Sequence, residues 1–223
     1  MGKYLLFDAD GTLYDFASSS RVALDKVMRK NGIAYTDGNH QLYEEGNKWC
    51  WEMYEKGKMS QEELKTERFR IFFDKLNLHQ DPFVAGDDYV SFLAQEGIMI
   101  PGALDFLEAI KDRPKSIITN GIAKTQHGRF DRTNTNKYFD HIFISEEIGY
   151  QKPDKAFFDF VLNKIKKSAN ECLVIGDSEK SDIQGAVNAN MDSVFISFDN
   201  KKSEKATYNV SSFGELLQLL DKI

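Results

Sequence analysis

The side chains best suited to chemistry are acids, a threonine and a lysine that follow short apolar runs of this sequence. In chain order they are Asp8, Asp10, Thr119, Lys152, Asp177 and Asp182. If the apolar runs are parallel strands, these side chains meet at one edge of a sheet, because the carboxyl ends of parallel strands share an edge. The carboxylates of Asp8, Asp10 and Asp177 would repel one another there, and a hard divalent cation with oxygen ligands would relieve that repulsion. These residue types therefore predict a Mg²⁺ site next to a site for a phosphoryl group.

The lysine and the threonine would supply the donors that a phosphoryl group needs. When a carboxylate such as Asp8 attacks a phosphate dianion, each pair of like unit charges opposes it by roughly 4 kcal/mol at about 4 Å and an effective dielectric near 20. Because about 1.4 kcal/mol is a factor of ten in rate, this repulsion would slow the step about a thousandfold. We therefore expect the metal ion and Lys152 to be required, and the Thr119 hydroxyl to donate to phosphoryl oxygens.

The apolar runs themselves predict strands that are buried on both faces. The runs are Tyr4–Phe7, Ser116–Ile118, Ile142–Ile144, Leu173–Ile175 and Val194–Ile196. Stretches with helical periodicity alternate with them, at Ala103–Lys111, Asp154–Lys166 and Phe213–Leu220. Alternation of this kind is typical of an α/β fold with a doubly wound parallel sheet, that is, a Rossmann-like core.

The region after the first strand breaks this alternation. Helical patterns follow one another without a clear strand, at about residues 18–31, 40–56, 60–76 and 82–95. Ser60 followed by Glu63 is a capping-box pattern. We therefore predict an α/β core from residues 1–15 and 98–223, and an inserted all-helical cap domain from residues 16–97.

Composition limits the partners and the location. The 223 residues carry a net charge of −6 without a long basic run, which argues against a nucleic-acid polymer as partner. The chain has no apolar stretch long enough for a membrane span, so we expect a cytoplasmic protein, a monomer or a homodimer, that does not bind membranes. The two cysteines, Cys50 and Cys172, are far apart in sequence, so neither a disulfide framework nor a zinc site is expected.

Four motifs along the chain resemble those of the haloacid dehalogenase-like (HAD) hydrolases. The segment Asp8–Asp15 resembles the DxDGTLxD signature of that family, and Thr119-Asn120-Gly121 resembles the second motif. Lys152-Pro153 resembles the third motif, and Gly176-Asp177-Ser178 with Ser181-Asp182-Ile183 resembles the fourth. The helical insert is similar to the family's α-helical cap. The segment Trp49–Gly57, together with Arg68-Phe69, is similar to the branch that acts on pyrimidine nucleoside monophosphates.

The resemblance implies a role for each matched residue. Asp8 would be the nucleophile that forms an aspartyl-phosphate, and Asp10 would be the general acid and then the general base. Asp8, Asp177 and the backbone carbonyl of Asp10 would bind Mg²⁺, with Asp182 as an outer-shell or occasional ligand. Thr119, the Asn120 amide and Lys152 would bind the phosphoryl group. The expected function is hydrolysis of a small phosphorylated metabolite, namely a nucleoside 5′-monophosphate.

Other functions stay open at this point. A phosphomutase acting on sugar phosphates would share the first half-reaction, and a phospho-accepting signalling receiver would combine similar residues without turnover. Dehalogenation does not need a second acid in the first motif, so the presence of Asp10 argues against it. The chain departs from the family pattern after Asp182, where Gly185-Ala186 replaces Gly-Gly and Ala189-Asn190 replaces Ala-Gly. Asparagine tolerates the left-handed conformation that glycine often adopts.

Overall fold

The computed structural model describes residues 2–223 and contains a parallel sheet of six strands in the order β3-β2-β1-β4-β5-β6. The strands are β1 Tyr4–Phe7, β2 Lys115–Thr119, β3 Ile142–Ile144, β4 Cys172–Gly176, β5 Asp192–Ile196 and β6 Tyr208–Val210. Strands β1, β2 and β4 are buried along their whole length, as their continuous apolar runs predict. The predicted α/β fold with a doubly wound parallel sheet is confirmed, and β6 is a strand that the sequence did not predict.

Ten α-helices accompany the sheet within residues 2–223. They are α1 Phe16–Lys30, α2 Asp37–Glu55, α3 Gln61–Lys75, α4 Pro82–Leu93, α5 Ala103–Ala109, α6 Ala123–Thr133, α7 Ser145–Ile148, α8 Lys155–Ile165, α9 Gln184–Asn188 and α10 Phe213–Leu220. The four helices predicted between the first and second strands are therefore present as α1 to α4. The capping box of α3 is also present, since Ser60 accepts from the Glu63 backbone and the Glu63 carboxylate accepts from the Ser60 backbone. Helices α6, α7 and α9 were not predicted.

The first of two compact units contains the sheet. It comprises the chain up to Phe16, Ile98–Gly121 and Asn134–Ile223. On one face of the sheet, side chains such as Leu6 and Val174 pack with Phe157 and Val161 of α8. Asn190 has φ of +54°, so it adopts the left-handed conformation expected there, after the short helix α9.

The second unit is helical. It comprises Ala17–Gly97 together with Ile122–Thr133, so helix α6, which the sequence assigned to the core, packs with α4 in this unit. The two helices approach closely because Gly128 has no Cβ, an atom that would lie 2.6 Å from the Ala94 carbonyl oxygen. Buried aromatic rings form much of the interior, with the Tyr43 ring centroid 5.2 Å from that of Phe69 and 5.7 Å from that of Tyr89. The domain limits given by the sequence otherwise stay predictions.

Within residues 2–223, no helix is both long enough and apolar enough to cross a bilayer.

Candidate active site

Strand order brings several of the predicted site residues to one edge of the sheet. Strand β1 lies between β2 and β4, and Phe7 pairs with Ile117 on one side and Ile175 on the other. The backbone N–H of Asp8 continues the ladder by donating to the Ile175 carbonyl at 2.8 Å. All three strands are parallel, so their carboxyl ends lie at the same edge of the sheet. This edge therefore carries Asp8 after β1, Thr119 at the end of β2 and Asp177 after β4.

Three carboxylates cluster at this edge. Oxygen atoms of Asp8, Asp177 and Asp182 all lie within 4.8 Å of one another. Asp8 and Asp182 are buried, and Asp177 is half-buried. The carboxylate of Asp10 is not a member of this cluster, so the predicted metal contact of Asp10 would fall to its backbone carbonyl and stays a prediction.

Lys152 lies within the cluster and bonds to two of its members. Its ammonium donates to Asp8 Oδ1 at 2.6 Å, to Asp182 Oδ1 at 2.6 Å and to the Ile118 carbonyl at 2.9 Å. The residue is only 1% exposed. All three N–H groups of the ammonium therefore have acceptors, which holds the positive charge next to the predicted nucleophile.

Burial and mutual repulsion shift the ionisation of these groups. Burial raises the pKa of Asp8 well above its ordinary value, and the charges on Asp182 and Asp177 raise it further, while Lys152 opposes the shift. Burial also raises the pKa of Asp177 to about 7, and the Asp182 charge adds to that effect. For Lys152, burial lowers the pKa, but the carboxylates of Asp182 and Asp8 outweigh it and the net shift is upward. The lysine therefore stays protonated. Full ionisation of Asp8 and Asp177 is opposed by burial and by the neighbouring carboxylates.

The side chain of Asn120 positions the backbone of Lys152. Its Nδ2 donates to the Lys152 carbonyl at 2.8 Å, and its Oδ1 accepts from the Lys152 N–H at 2.9 Å. Next to it, the buried Thr119 hydroxyl accepts from the Gly121 N–H at 3.0 Å. The phosphate contact predicted for Asn120 would therefore involve its backbone amide, and it stays a prediction together with that of Thr119.

A tight turn after β1 shapes the other wall of the site. The Gly11 N–H donates to the Tyr14 carbonyl at 2.9 Å, and Gly11 has φ of +81°. A Cβ at Gly11 would overlap the carboxylate of Asp177, so the turn and the acid can approach this closely only with glycine. Thr12 donates its hydroxyl hydrogen to Asp177 Oδ1 at 3.3 Å.

Two supporting residues were part of the motifs but received no role from the sequence. Thr12 orients Asp177, and the Ser178 N–H donates to Asp182 Oδ2 at 3.1 Å. Asp182 was expected at the outer edge of a metal site, yet its ion pair with Lys152 is as short as that of Asp8. Thr12 and Ser178 lie within the first and fourth motifs, and that was the signal that could have identified them. A sequence motif does not show which atoms are in contact.

The donor set of this cluster suits a hard divalent cation. With all three carboxylates ionised, the cluster would hold two more negative charges than its single ammonium balances, and the raised pKa values of Asp8 and Asp177 reflect that excess. Carboxylate oxygens are ligands that Mg²⁺ accepts, with water and phosphate oxygens completing its shell. The residues present therefore fit a Mg²⁺ ion held by Asp8 and Asp177 with Asp182 close by.

Comparison with known proteins agrees with the motifs and the fold. A family model described as haloacid dehalogenase-like hydrolase matches residues 3–190. The chain belongs to the haloacid dehalogenase-like hydrolase family.

Individual relatives match along nearly the full length. The chain is 35% identical to the pyrimidine 5′-nucleotidase PynA of Streptococcus pneumoniae, over 99% of this chain and 95% of that protein. It is 33% identical to the pyrimidine 5′-nucleotidase YjjG of Escherichia coli, over 98% of each. The crystal structure of the HAD-hydrolase YfnB of Bacillus subtilis bound to magnesium superposes with a TM-score of 0.94 at 31% identity, covering 99% of both chains.

These relatives confirm two predictions. The similarity to the pyrimidine nucleotidase branch of the family is confirmed, and the chain is an enzyme of the HAD phosphatase class. A signalling receiver without turnover is thereby set aside.

Proposed function

We propose that this chain is a Mg²⁺-dependent phosphatase that hydrolyses pyrimidine nucleoside 5′-monophosphates through an aspartyl-phosphate on Asp8. The observation that carries the proposal is the buried cluster in which Lys152 bonds to Asp8 and Asp182 beside Asp177. The substrate class is supported by two relatives named as pyrimidine 5′-nucleotidases. The partner is accordingly a small phosphorylated metabolite.

In the first half-reaction, a carboxylate oxygen of Asp8 attacks phosphorus and the bond from phosphorus to the 5′ oxygen breaks. Asp10 donates a proton to that oxygen, so the nucleoside leaves neutral. The ammonium of Lys152, 2.6 Å from Asp8 Oδ1, offsets the like charge between carboxylate and phosphate. The Thr119 hydroxyl and the Asn120 backbone amide bind phosphoryl oxygens.

In the second half-reaction, Asp10 is the base. It removes a proton from a water molecule, whose oxygen attacks the phosphorus of the aspartyl-phosphate. The bond from phosphorus to Asp8 breaks, inorganic phosphate leaves and the carboxylate of Asp8 is regenerated. The sum of the two steps is one phosphomonoester and one water converted into one alcohol and one phosphate.

A Mg²⁺ ion would be held by carboxylate oxygens of Asp8 and Asp177 and by the backbone carbonyl of Asp10, with Asp182 as an outer ligand. When bound, it supplies positive charge beside the phosphoryl oxygens and the surplus of carboxylates. Without the ion, the single positive charge of Lys152 would balance only one of the carboxylate charges in the cluster.

The test is phosphate release from a panel of nucleoside monophosphates with Mg²⁺, comparing the wild type with Asp8→Asn. Removing the nucleophile should lower kcat by at least about a thousandfold. Asp105→Asn, an exposed acid on α5, is the matched control and should retain full activity. Equal turnover by the wild type and Asp8→Asn would end the nucleophile assignment. Incubation with hexose phosphates tests the alternative, because an isomerised product without net phosphate release would instead identify a phosphomutase.

The cytoplasmic location and the monomeric or homodimeric state remain predictions from the sequence. Size-exclusion chromatography with light scattering would measure the oligomeric state directly.

A further inference from the structure

The lysine of the carboxylate cluster lies on a loop rather than on a strand or a helix. Lys152 belongs to the segment between α7, which ends at Ile148, and α8, which begins at Lys155. A loop has no regular ladder of backbone hydrogen bonds, so other groups must fix the backbone from which a side chain extends. The contacts of this loop with its neighbours therefore decide where the ammonium of Lys152 lies.

A single side-chain amide, that of Asn120, bonds to both polar groups of the Lys152 backbone. Its Nδ2 donates to the carbonyl at 2.8 Å, and its Oδ1 accepts from the N–H at 2.9 Å. Two bonds from one planar amide fix both the position and the direction of the backbone that they hold. Asn120 directly follows β2, the strand next to β1, and β1 is followed by Asp8. The lysine loop is therefore attached to the sheet beside the strand that carries the proposed nucleophile.

A second amide bonds to the next residue of the loop. Asn188 Nδ2, at the end of α9, donates to the Pro153 carbonyl at 3.0 Å, and Gln184 Nε2 donates to Asn188 Oδ1 at 2.9 Å. Asn188 is exposed, whereas Asn120 is half-buried. Because water replaces an exposed hydrogen bond more readily than a half-buried one, Asn120 is the stronger restraint on the loop.

The backbone and the side chain of Asn120 would have separate tasks. In the proposed function its N–H binds a phosphoryl oxygen, while its side chain bonds to the loop. Every residue except proline keeps that N–H, so a change of side chain leaves the proposed phosphate contact in place. The ammonium of Lys152 already has protein acceptors for all three of its N–H groups. A displaced lysine should therefore slow phosphoryl transfer more than it weakens substrate binding.

We propose that Asn120 is a positioning residue for phosphoryl transfer and that its side chain acts through Lys152. The inference rests on the proposed function for the role of Lys152 and adds the group that holds it. Without the two amide bonds the loop shifts, and the ammonium moves from its position 2.6 Å from Asp8 Oδ1. The charge that offsets the repulsion between carboxylate and phosphate is then misplaced, and a misplacement of about 1 Å can cost about a hundredfold in rate.

The first experiment measures kcat and KM for uridine 5′-monophosphate and for p-nitrophenyl phosphate. Asn120→Ala should lower kcat about 10–100-fold for both substrates, with KM changed by less than about threefold. Asn120→Asp has the same shape but places an oxygen against the Lys152 carbonyl, so it should not restore kcat. A side chain that only fills space would be replaced by aspartate without loss, so full activity of Asn120→Asp would contradict the inference.

Asn209 offers a matched control because it makes the same pair of bonds elsewhere in the unit that contains the sheet. Its Nδ2 donates to the Ser203 carbonyl at 3.1 Å, and its Oδ1 accepts from the Ser203 N–H at 2.7 Å. Asn209→Ala should lower the urea midpoint of unfolding about as much as Asn120→Ala does, and it should keep the wild-type kcat. Equal loss of kcat in both variants, unchanged kcat in Asn120→Ala, or a change confined to KM would overturn the inference.

The second experiment is a double-mutant cycle that tests whether Asn120 acts through Lys152. It compares kcat for the wild type, Asn120→Ala, Lys152→Met and the double variant, all with Mg²⁺. Once the lysine is gone, Asn120→Ala should cost less than about twofold, because the group that it positions is absent. A further loss of 10–100-fold in that background would contradict the inference. Lys152→Gln is the second background if Lys152→Met does not fold.

Failure of the proposed function would look different in these measurements. A wild type that hydrolyses p-nitrophenyl phosphate but no nucleoside monophosphate would contradict the proposed substrate class alone. The cycle on p-nitrophenyl phosphate would then still decide whether Asn120 positions Lys152.

Discussion

Among the buried cationic side chains, Lys152 and Arg68 differ in whether carboxylates surround them. Lys152 has carboxylates of Asp8 and Asp182 at 2.6 Å. Arg68, on α3 of the helical unit, is 1% exposed, and its guanidinium has one hydrogen bond, to Asn47 Oδ1 at 3.5 Å. Its Nε and Nη2 have no hydrogen-bond partner among the described residues, and the guanidinium lies over the Tyr89 ring at 4.4 Å. The same substitution at the two positions should therefore have different effects.

Lys152→Met should lower the free energy of unfolding by about 3–5 kcal/mol, because it leaves buried carboxylates without their cation. Arg68→Met should leave the free energy of unfolding unchanged or raise it. It removes a desolvated charge that has no carboxylate partner within residues 2–223, and it substitutes a flexible apolar side chain. Urea unfolding at pH 7 measures both.

The control for this pair is Lys155→Met, which removes an exposed lysine from an ion pair with Asp159 on α8 and should change stability little. If Arg68→Met lost more stability than Lys152→Met, the contact with Tyr89 would outweigh the cost of burying the guanidinium, and the reasoning for Arg68 would be wrong.

At the scale of elements, hydrogen bonds from a lysine ammonium to backbone carbonyls stabilise the connection from α5 to β2. Lys115 is the first residue of β2 and is buried. Its ammonium donates to the carbonyls of Ile110 at 2.7 Å, Lys111 at 3.0 Å and Arg113 at 2.8 Å. These carbonyls belong to the turn that follows α5, outside the hydrogen-bond pattern of the helix, and a cation there also opposes the negative end of the helix dipole.

Lys115→Met should therefore lower the free energy of unfolding by about 2–3 kcal/mol, because buried carbonyls lose a charged donor. Chemical denaturation measures the change. Lys111→Met removes an exposed lysine that pairs with Glu108 and serves as the control. A Lys115→Met protein as stable as the control would show that water replaces the ammonium at this helix end.

Helix α6 shows the limit of periodicity as a signal. Its segment is rich in polar residues, and the side chains that it buries include Gln126 and Arg129. A helix that buries polar side chains has no apolar stripe, so the pattern that predicted α1 to α4 was absent. Strand β6, with three residues and an exposed Asn209 at its centre, was missed for a similar reason.

At the scale of the whole molecule, the cluster at the sheet edge should link metal binding to stability. A cation that binds the folded chain and not the unfolded one raises the free energy of unfolding, by about 2.7 kcal/mol at one hundred times Kd. Addition of Mg²⁺ to protein treated with chelator should therefore raise Tm.

Asp177→Asn should lose most of this rise, because it removes one of the three clustered carboxylates. Asp105→Asn should keep it. Thermal unfolding in a Mg²⁺ titration measures the effect, and an identical rise in wild type and Asp177→Asn would place the ion elsewhere on the chain.

Much of this protein could be predicted from local patterns. Continuous apolar runs indicated buried parallel strands, helical spacing indicated the insert, and the polar residues after the runs indicated an edge with phosphoryl chemistry. Asn190 illustrates the same point for one residue, since asparagine at a position where the family usually has glycine indicated a positive φ. These features depend on neighbours in sequence, so the sequence carries them directly.

Other features required the tertiary structure, because they depend on distances between residues that are far apart in the chain. Lys152 bonding to both Asp8 and Asp182, the packing of α6 with the helical unit, and the bonds from Asn120 to the Lys152 backbone are of this kind. No local pattern encodes which strand ends become neighbours. Strand order and register decide it, and they result from the packing of the entire sheet.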